Sequence, residues 1–154
     1  MNKDDLCTFL IDANKHTYAT GNESLQKKET DGSTTITYQK GIWSIHDNFF
    51  GGEPYGGREV VFYKNKPVWI MVYYGYIESD VAPETVYPTL QNALRHMPEK
   101  NPFRGPERFQ DGVYTYHNAS IGNIEKFSGE EIIVVNNRKI YQARYIGGFI
   151  DRKR

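Results

Sequence analysis

The chain resembles itself. Shifted by 71 positions, Gln39, Gly41, His46 and Gly51 fall on Gln110, Gly112, His117 and Gly122, and Trp43 falls on Tyr114. At a shift of 72, Gly57, Glu59, Asn65, Tyr73 and Gly75 fall on Gly129, Glu131, Asn137, Tyr145 and Gly147. The segments preceding these match at a shift of 80, where Leu10, Ala13, Lys15 and His16 meet Leu90, Ala93, Arg95 and His96. A fixed internal period means that each copy is one supersecondary unit needing its neighbour to cover its apolar face. With 154 residues the chain matches one ordinary domain. The expected architecture is therefore a single domain, 1–154, of two pseudo-repeats at about 4–77 and 84–149.

Hydrophobic periodicity assigns each repeat its elements. Leu6, Phe9, Leu10 and Ala13 recur at helical spacing behind Asp4 and Asp5, which favour a helix N-terminus, so a helix is predicted from about residue 4 to 18. Val86, Leu90, Ala93, Leu94 and Met97 mark a second helix, with Pro88 placed in its first turn. Between and after them lie alternating β-formers at 34–39, 42–49, REVVFY, PVWIMVYY, 113–118, 130–136 and 139–146, while 20–33 reads as a polar loop. The fold class is α+β, a mostly antiparallel sheet with two main helices on one face.

Two hairpins set the expected registers. Two-residue turns at Asn65-Lys66 and Asn137-Arg138 place Phe62 opposite Trp69, Val60 opposite Met71, Val134 opposite Tyr141 and Ile132 opposite Ala143 on the core side. On the reverse side Glu131 then faces Arg144, whereas Glu59 faces Val72 among Val61, Ile70 and Tyr74. In GIWSIHDNFFGGEPYGGREVVFY, residues 41–63, Trp43 and Ile45 share one strand face and Ser44 and His46 the other. Asp47 therefore points away from His46 and does not orient it for base catalysis.

Composition excludes several classes. Nineteen basic residues balance nineteen acidic ones, which provides no net field for direct nucleic-acid binding or for an anionic membrane. Twelve tyrosines at a mean hydropathy of −0.67 mean that rings with one polar end supply core volume. Cys7 is the single cysteine, so no internal disulfide forms, and no apolar run reads as a leader or a span; the expectation is a cytoplasmic protein. His16, His46, His96 and His117 lack metal-ligand spacing, and Gly51-Gly52 and Gly56-Gly57 lack a phosphate-loop pattern. No metal or cofactor is expected, the glycines serve turns or bulges, and DRKR at 151–154 is a solvated end.

The segments FLIDANKHTYA, YQKGIWSIHDNFFGGEPYGGREVVFYKNKPVWIMVYYG, FRGPERFQDGVYTYHN and FSGEEIIVVNNRKIYQARYIGGFI resemble a group of uncharacterised bacterial domains of unknown function, found alone or behind an XRE-type helix-turn-helix segment. The resemblance implies regulatory company and no defined chemistry. The duplicated helix-plus-strands plan is also similar to effector-binding domains of multidrug-responsive regulators and gyrase-inhibitor-like proteins. In those, an aromatic cleft near a pseudo-twofold axis holds a ligand and a carboxylate meets its charge.

Three function classes follow. The leading expectation is a non-enzymatic small-molecule-binding or sensor module with a pseudo-symmetric aromatic cleft. Trp43, Tyr73, Tyr114 and Tyr145 would form its walls, Glu59 and Glu131 its anchors, and His46 and Arg104 complete the candidate set for a cationic or aromatic ligand. The second is a small hydrolase or isomerase using Glu59 and His46 for proton transfer. The third is a docking domain in which the aromatic face of the first repeat joins identical subunits.

Overall fold

The structure is a computed structural model that describes residues 1–151; the expectation for the basic tail falls, past Asp151, outside the described residues. Helix α1 runs Lys3–His16. Asn2 caps it, its side-chain oxygen accepting from the Asp4 amide at 3.2 Å, and Leu6, Phe9, Leu10 and Ala13 form its buried stripe. Where a longer helix was expected, the chain instead breaks at Thr17 and turns through two short 3-10 segments, Tyr18–Thr20 and Glu23–Leu25. Four strands follow a two-residue strand β1 (Lys27–Lys28): β2 (Thr34–Lys40), β3 (Trp43–Phe50), β4 (Tyr55–Tyr63) and β5 (Lys66–Ile77).

Helix α2 spans Pro83–Arg95, with Pro83 at its first turn. Pro88 therefore lies inside the helix rather than at its start, where it removes one backbone hydrogen bond. Burial of Val86, Thr89, Leu90, Ala93 and Leu94 offsets that loss. The chain closes with β6 (Arg108–Asp111), β7 (Tyr114–Asn123), β8 (Lys126–Val135) and β9 (Arg138–Phe149). The short β6 lies outside the β segments expected from the sequence.

Among the described residues all pairings are antiparallel, in one nine-stranded sheet ordered β1-β2-β3-β4-β5-β9-β8-β7-β6. Reading outward from the central β5/β9 seam, the two sides pass through their strands in matching order, and Tyr73 sits directly opposite Tyr145. Directly paired residues share a face, so Trp69, Met71, Tyr73 and Ile77 project with Tyr141, Ala143 and Tyr145 toward the helices. Two apolar clusters result. One joins α1 to Ile45, Val61, Trp69, Met71 and Phe127, and the other joins α2 to Ile77, Tyr116, Ile133, Ile140 and Tyr141.

The hairpin registers differ from expectation by one residue. The turns are Lys64-Asn65 and Asn136-Asn137, all four residues with positive φ, as a two-residue hairpin turn matched to strand twist requires. A bulge then intervenes in each hairpin, so that Val61 pairs with Trp69 and Ile133 with Tyr141. In the first, the strand resumes its ladder past Pro67, which has no amide hydrogen to donate. The consequence is a change of face: Glu59 and Glu131 lie under the helices with Val61 and Ile133. Arg144 faces Glu130, not Glu131, and Val72 faces Arg58, not Glu59.

Candidate functional site

Glu131 is fully buried, and four donors converge on it. Arg104, from the loop between α2 and β6, presents Nη2 to Oε1 at 2.6 Å and Nε to Oε2 at 3.1 Å. The Tyr116 hydroxyl donates to Oε2 at 2.7 Å and the Tyr141 hydroxyl to Oε1 at 2.8 Å. Such saturation is what allows a carboxylate to stay in an apolar core. Burial works against the Arg104 charge, yet the Glu131 carboxylate holds its guanidinium protonated, well above the usual arginine range. Because Tyr141 gives its proton to Glu131, the Tyr55 hydroxyl is the donor in its 2.5 Å contact with Tyr141.

On the other side of the seam, Glu59 also lies under the helices and is treated differently. Asp47 on β3 and Glu59 on β4 are direct cross-strand partners, which sets their Cβ atoms about 4.5–5.5 Å apart. The Tyr73 hydroxyl donates to Asp47 Oδ1 at 2.5 Å. Among the described residues, none makes a hydrogen bond or an ion pair with the Glu59 side chain. Glu59 is half-buried although it lies deep in the fold, because a cavity of about 330 Å³ reaches it.

That cavity lies under the first half of the sheet, and its floor carries Asp47, Glu59 and Tyr73. Tyr18 and Gln26 from the segment after α1, and Tyr87 and Gln91 from α2, close it over; Tyr55, Phe49 and Arg104 line its flanks. Gly57 is required where β4 passes β3, since a Cβ there would stand 2.5 Å from the Asn48 carbonyl oxygen and 2.6 Å from Phe49 Cβ.

Electrostatics separate the two carboxyls. Burial pushes Asp47 up to about 6, with the Tyr73 hydroxyl and the Arg104 charge opposing. Burial, and then the Asp47 charge, push Glu59 up to about 8. Near neutrality the pair holds one proton, Asp47 ionised and Glu59 protonated. Burial also pushes Tyr18, Tyr55 and Tyr73 above the ordinary phenol range, so all three hydroxyls are neutral.

The candidate residues from sequence divide accordingly. Glu59, Tyr73 and Arg104 line the cavity, and Glu131 anchors Arg104 at its edge. Trp43 is elsewhere, stacked 5.5 Å from Phe9 in the α1 core and tilted against Tyr63 at 4.7 Å. Tyr114 packs against the α2 cluster, and Tyr145 is buried with its hydroxyl on Asn118 at 2.7 Å. His46 projects on the other side of β3 into a shallow groove with Thr37, Ser44 and Phe62, so the expected Glu59–His46 proton transfer has no geometry. The cleft is thus one-sided rather than pseudo-symmetric. Asp47, Tyr18, Tyr55 and Tyr87 were missed. Asp47 had a signal, for it continues the Trp43-Ile45 alternation onto the core face, where a carboxylate is out of place.

Among the described residues no group of three or more His, Cys, Asp or Glu side chains is placed to hold a metal ion, and no helix is long and apolar enough to cross a membrane. No curated protein and no solved structure matches the chain. Residues 47–150 match the family model described as Domain of unknown function (DUF5680), and since that match covers more than half of the chain and takes in Asp47, Glu59, Tyr73, Arg104 and Glu131, the chain belongs to this family.

Proposed function

We propose that the chain is a non-enzymatic small-molecule-binding module, a sensor whose ligand is a small amine-bearing aromatic. The observation that carries this reading is the Glu59 carboxyl, which opens onto a 330 Å³ cavity and has no partner among the described residues. A carboxyl held in an apolar site without a hydrogen bond is costly, and a ligand donor removes that cost. The volume lies at the small end of the range for ligand pockets, roughly 300–1,000 Å³. Tyr18, Tyr55, Tyr73 and Tyr87 supply ring faces and edges to a flat cation. On this reading the module would report a ligand to a partner, as the analogy drawn from sequence to effector-binding domains implies.

Internal duplication accompanies this reading, supported by the matching strand order about the seam and by hairpin bulges at corresponding places. On this view one copy fills its carboxylate position with Arg104 and the other keeps it open for a ligand. Thermal-shift measurements with benzylammonium and related aromatic amines test the function. Stabilisation of the wild type that is weakened by Glu59→Gln is expected, with a smaller weakening for a substitution outside the cavity such as Trp43→Phe. Equal shifts in both variants, or none in the wild type, would refute it.

A further inference from the structure

Asp47 and Glu59 face one cavity from adjacent strands, and the cation nearest to them is committed elsewhere. Arg104 has given Nε and Nη2 to Glu131, so that pair is neutral as a unit. Lys28, the other basic residue lining the cavity, is exposed and donates to Thr34 Oγ1 at 2.7 Å. The remaining ionisable groups around the two carboxyls are the hydroxyls of Tyr18, Tyr55, Tyr73 and Tyr87 and, at the exposed mouth, Glu23. The floor therefore presents two carboxyls with no cation of its own to balance them.

We propose that the Asp47–Glu59 pair is a cation-for-proton exchange site, and that the ligand is an aromatic monocation whose ammonium replaces the proton the pair otherwise holds. This rests on the reading of the cavity as an amine site. The exchange balances: the Glu59 O–H bond breaks, its proton leaves to solvent, and the ligand's N–H groups take up the two carboxylates. The floor carries one net negative charge before and after. A neutral ligand gains nothing from the swap. Arg104 adds a second point of recognition. Arg104 lines the same cavity and gives Nε and Nη2 to Glu131, which leaves Nη1 to donate to a neutral oxygen on the ligand; a ligand carboxylate would compete with Glu131. The closed pair has its support in the Asp47 and Glu59 values given above, which straddle neutrality.

Calorimetric titration of the full chain with benzylammonium, at pH 7 in phosphate and in Tris, reads the exchange directly. The different ionisation heats of the two buffers are expected to report release of close to one proton per ligand, with affinity rising about tenfold per pH unit from 6 to 7.5. Glu59→Gln, checked for folding by tryptophan fluorescence, is expected to bind without proton release and with flat pH dependence. Benzyl alcohol, which has the shape without the charge, is expected to release none. Binding of benzylammonium with buffer-independent heat overturns the exchange and leaves the amine site standing. Proton release by benzyl alcohol also overturns it, since the proton would then report a rearrangement. Failure of benzylammonium to bind at all overturns the amine site and the exchange together.

Discussion

Replacing Glu59 with Gln should stabilise the protein, increasingly so as pH rises. Glu59 is shifted from an ordinary 4.5 to about 8, chiefly by burial and then by the Asp47 charge. Between those values the folded chain binds more protons than the unfolded one, so stability contributed at this position is complete below the lower value and is lost through the upper one. At roughly 1.4 kcal/mol per pH unit, the loss is about 3 kcal/mol at pH 7 and about 5 kcal/mol beyond pH 8, less what cavity water recovers. Gln keeps the shape of the protonated acid and cannot ionise. Urea denaturation followed through Trp43 and Trp69 should therefore show wild type and variant equal near pH 4. The variant should then be ahead by at least about 2 kcal/mol at pH 9. Asp47 has the same sign over its own window, from 3.8 to about 6, and is present in both proteins, so it cancels in the difference. A stability difference that does not change with pH, or a variant weaker at pH 9, would refute the argument that Glu59 is an unpartnered acid in a dry setting.

Three further outcomes distinguish neighbouring residues. Arg104→Met should cost about 3–5 kcal/mol in urea denaturation, because it strands the fully buried Glu131 charge. Glu130→Ala, one residue along the same strand, should cost less than about 1 kcal/mol by the same assay, since its pair with Arg144 is exposed. Gly57→Ala should cost about 1–3 kcal/mol and lower the thermal midpoint, because a methyl group there overlaps the Asn48 carbonyl.

Much of the architecture was legible because hydrophobic periodicity is read directly. The stripe Leu6-Phe9-Leu10-Ala13 gave α1, and runs of alternating β-formers gave the long strands of a mostly antiparallel sheet. The candidate site was legible only in part. Glu59, Tyr73 and Arg104 were named, but the reasoning put Glu59 on the wrong face because it counted hairpin residues without a bulge. A bulge displaces register by one, and in a strand one residue is the whole distance between core and solvent. The Arg104–Glu131 pair was invisible for another reason: it joins a loop to a strand 27 residues away, and nothing in local spacing encodes it. The tyrosines over the cavity come from three separate segments, so that only the folded chain brings Tyr18, Tyr55 and Tyr87 together.

The sheet finishes in its two shortest strands, β1 with two residues and β6 with four. β1 covers only Thr34 and Thr35 of β2, and β6 covers only residues 114–117 of β7, so among the described residues no strand pairs with the outer edge of residues 36–40 or 118–123. Unpaired edge of this kind is where a sheet can be prolonged by another strand. For this protein, a strand added at either border would lengthen the sheet without covering Val72, Tyr74 and Ile146, which stand exposed at its centre on the face away from the helices.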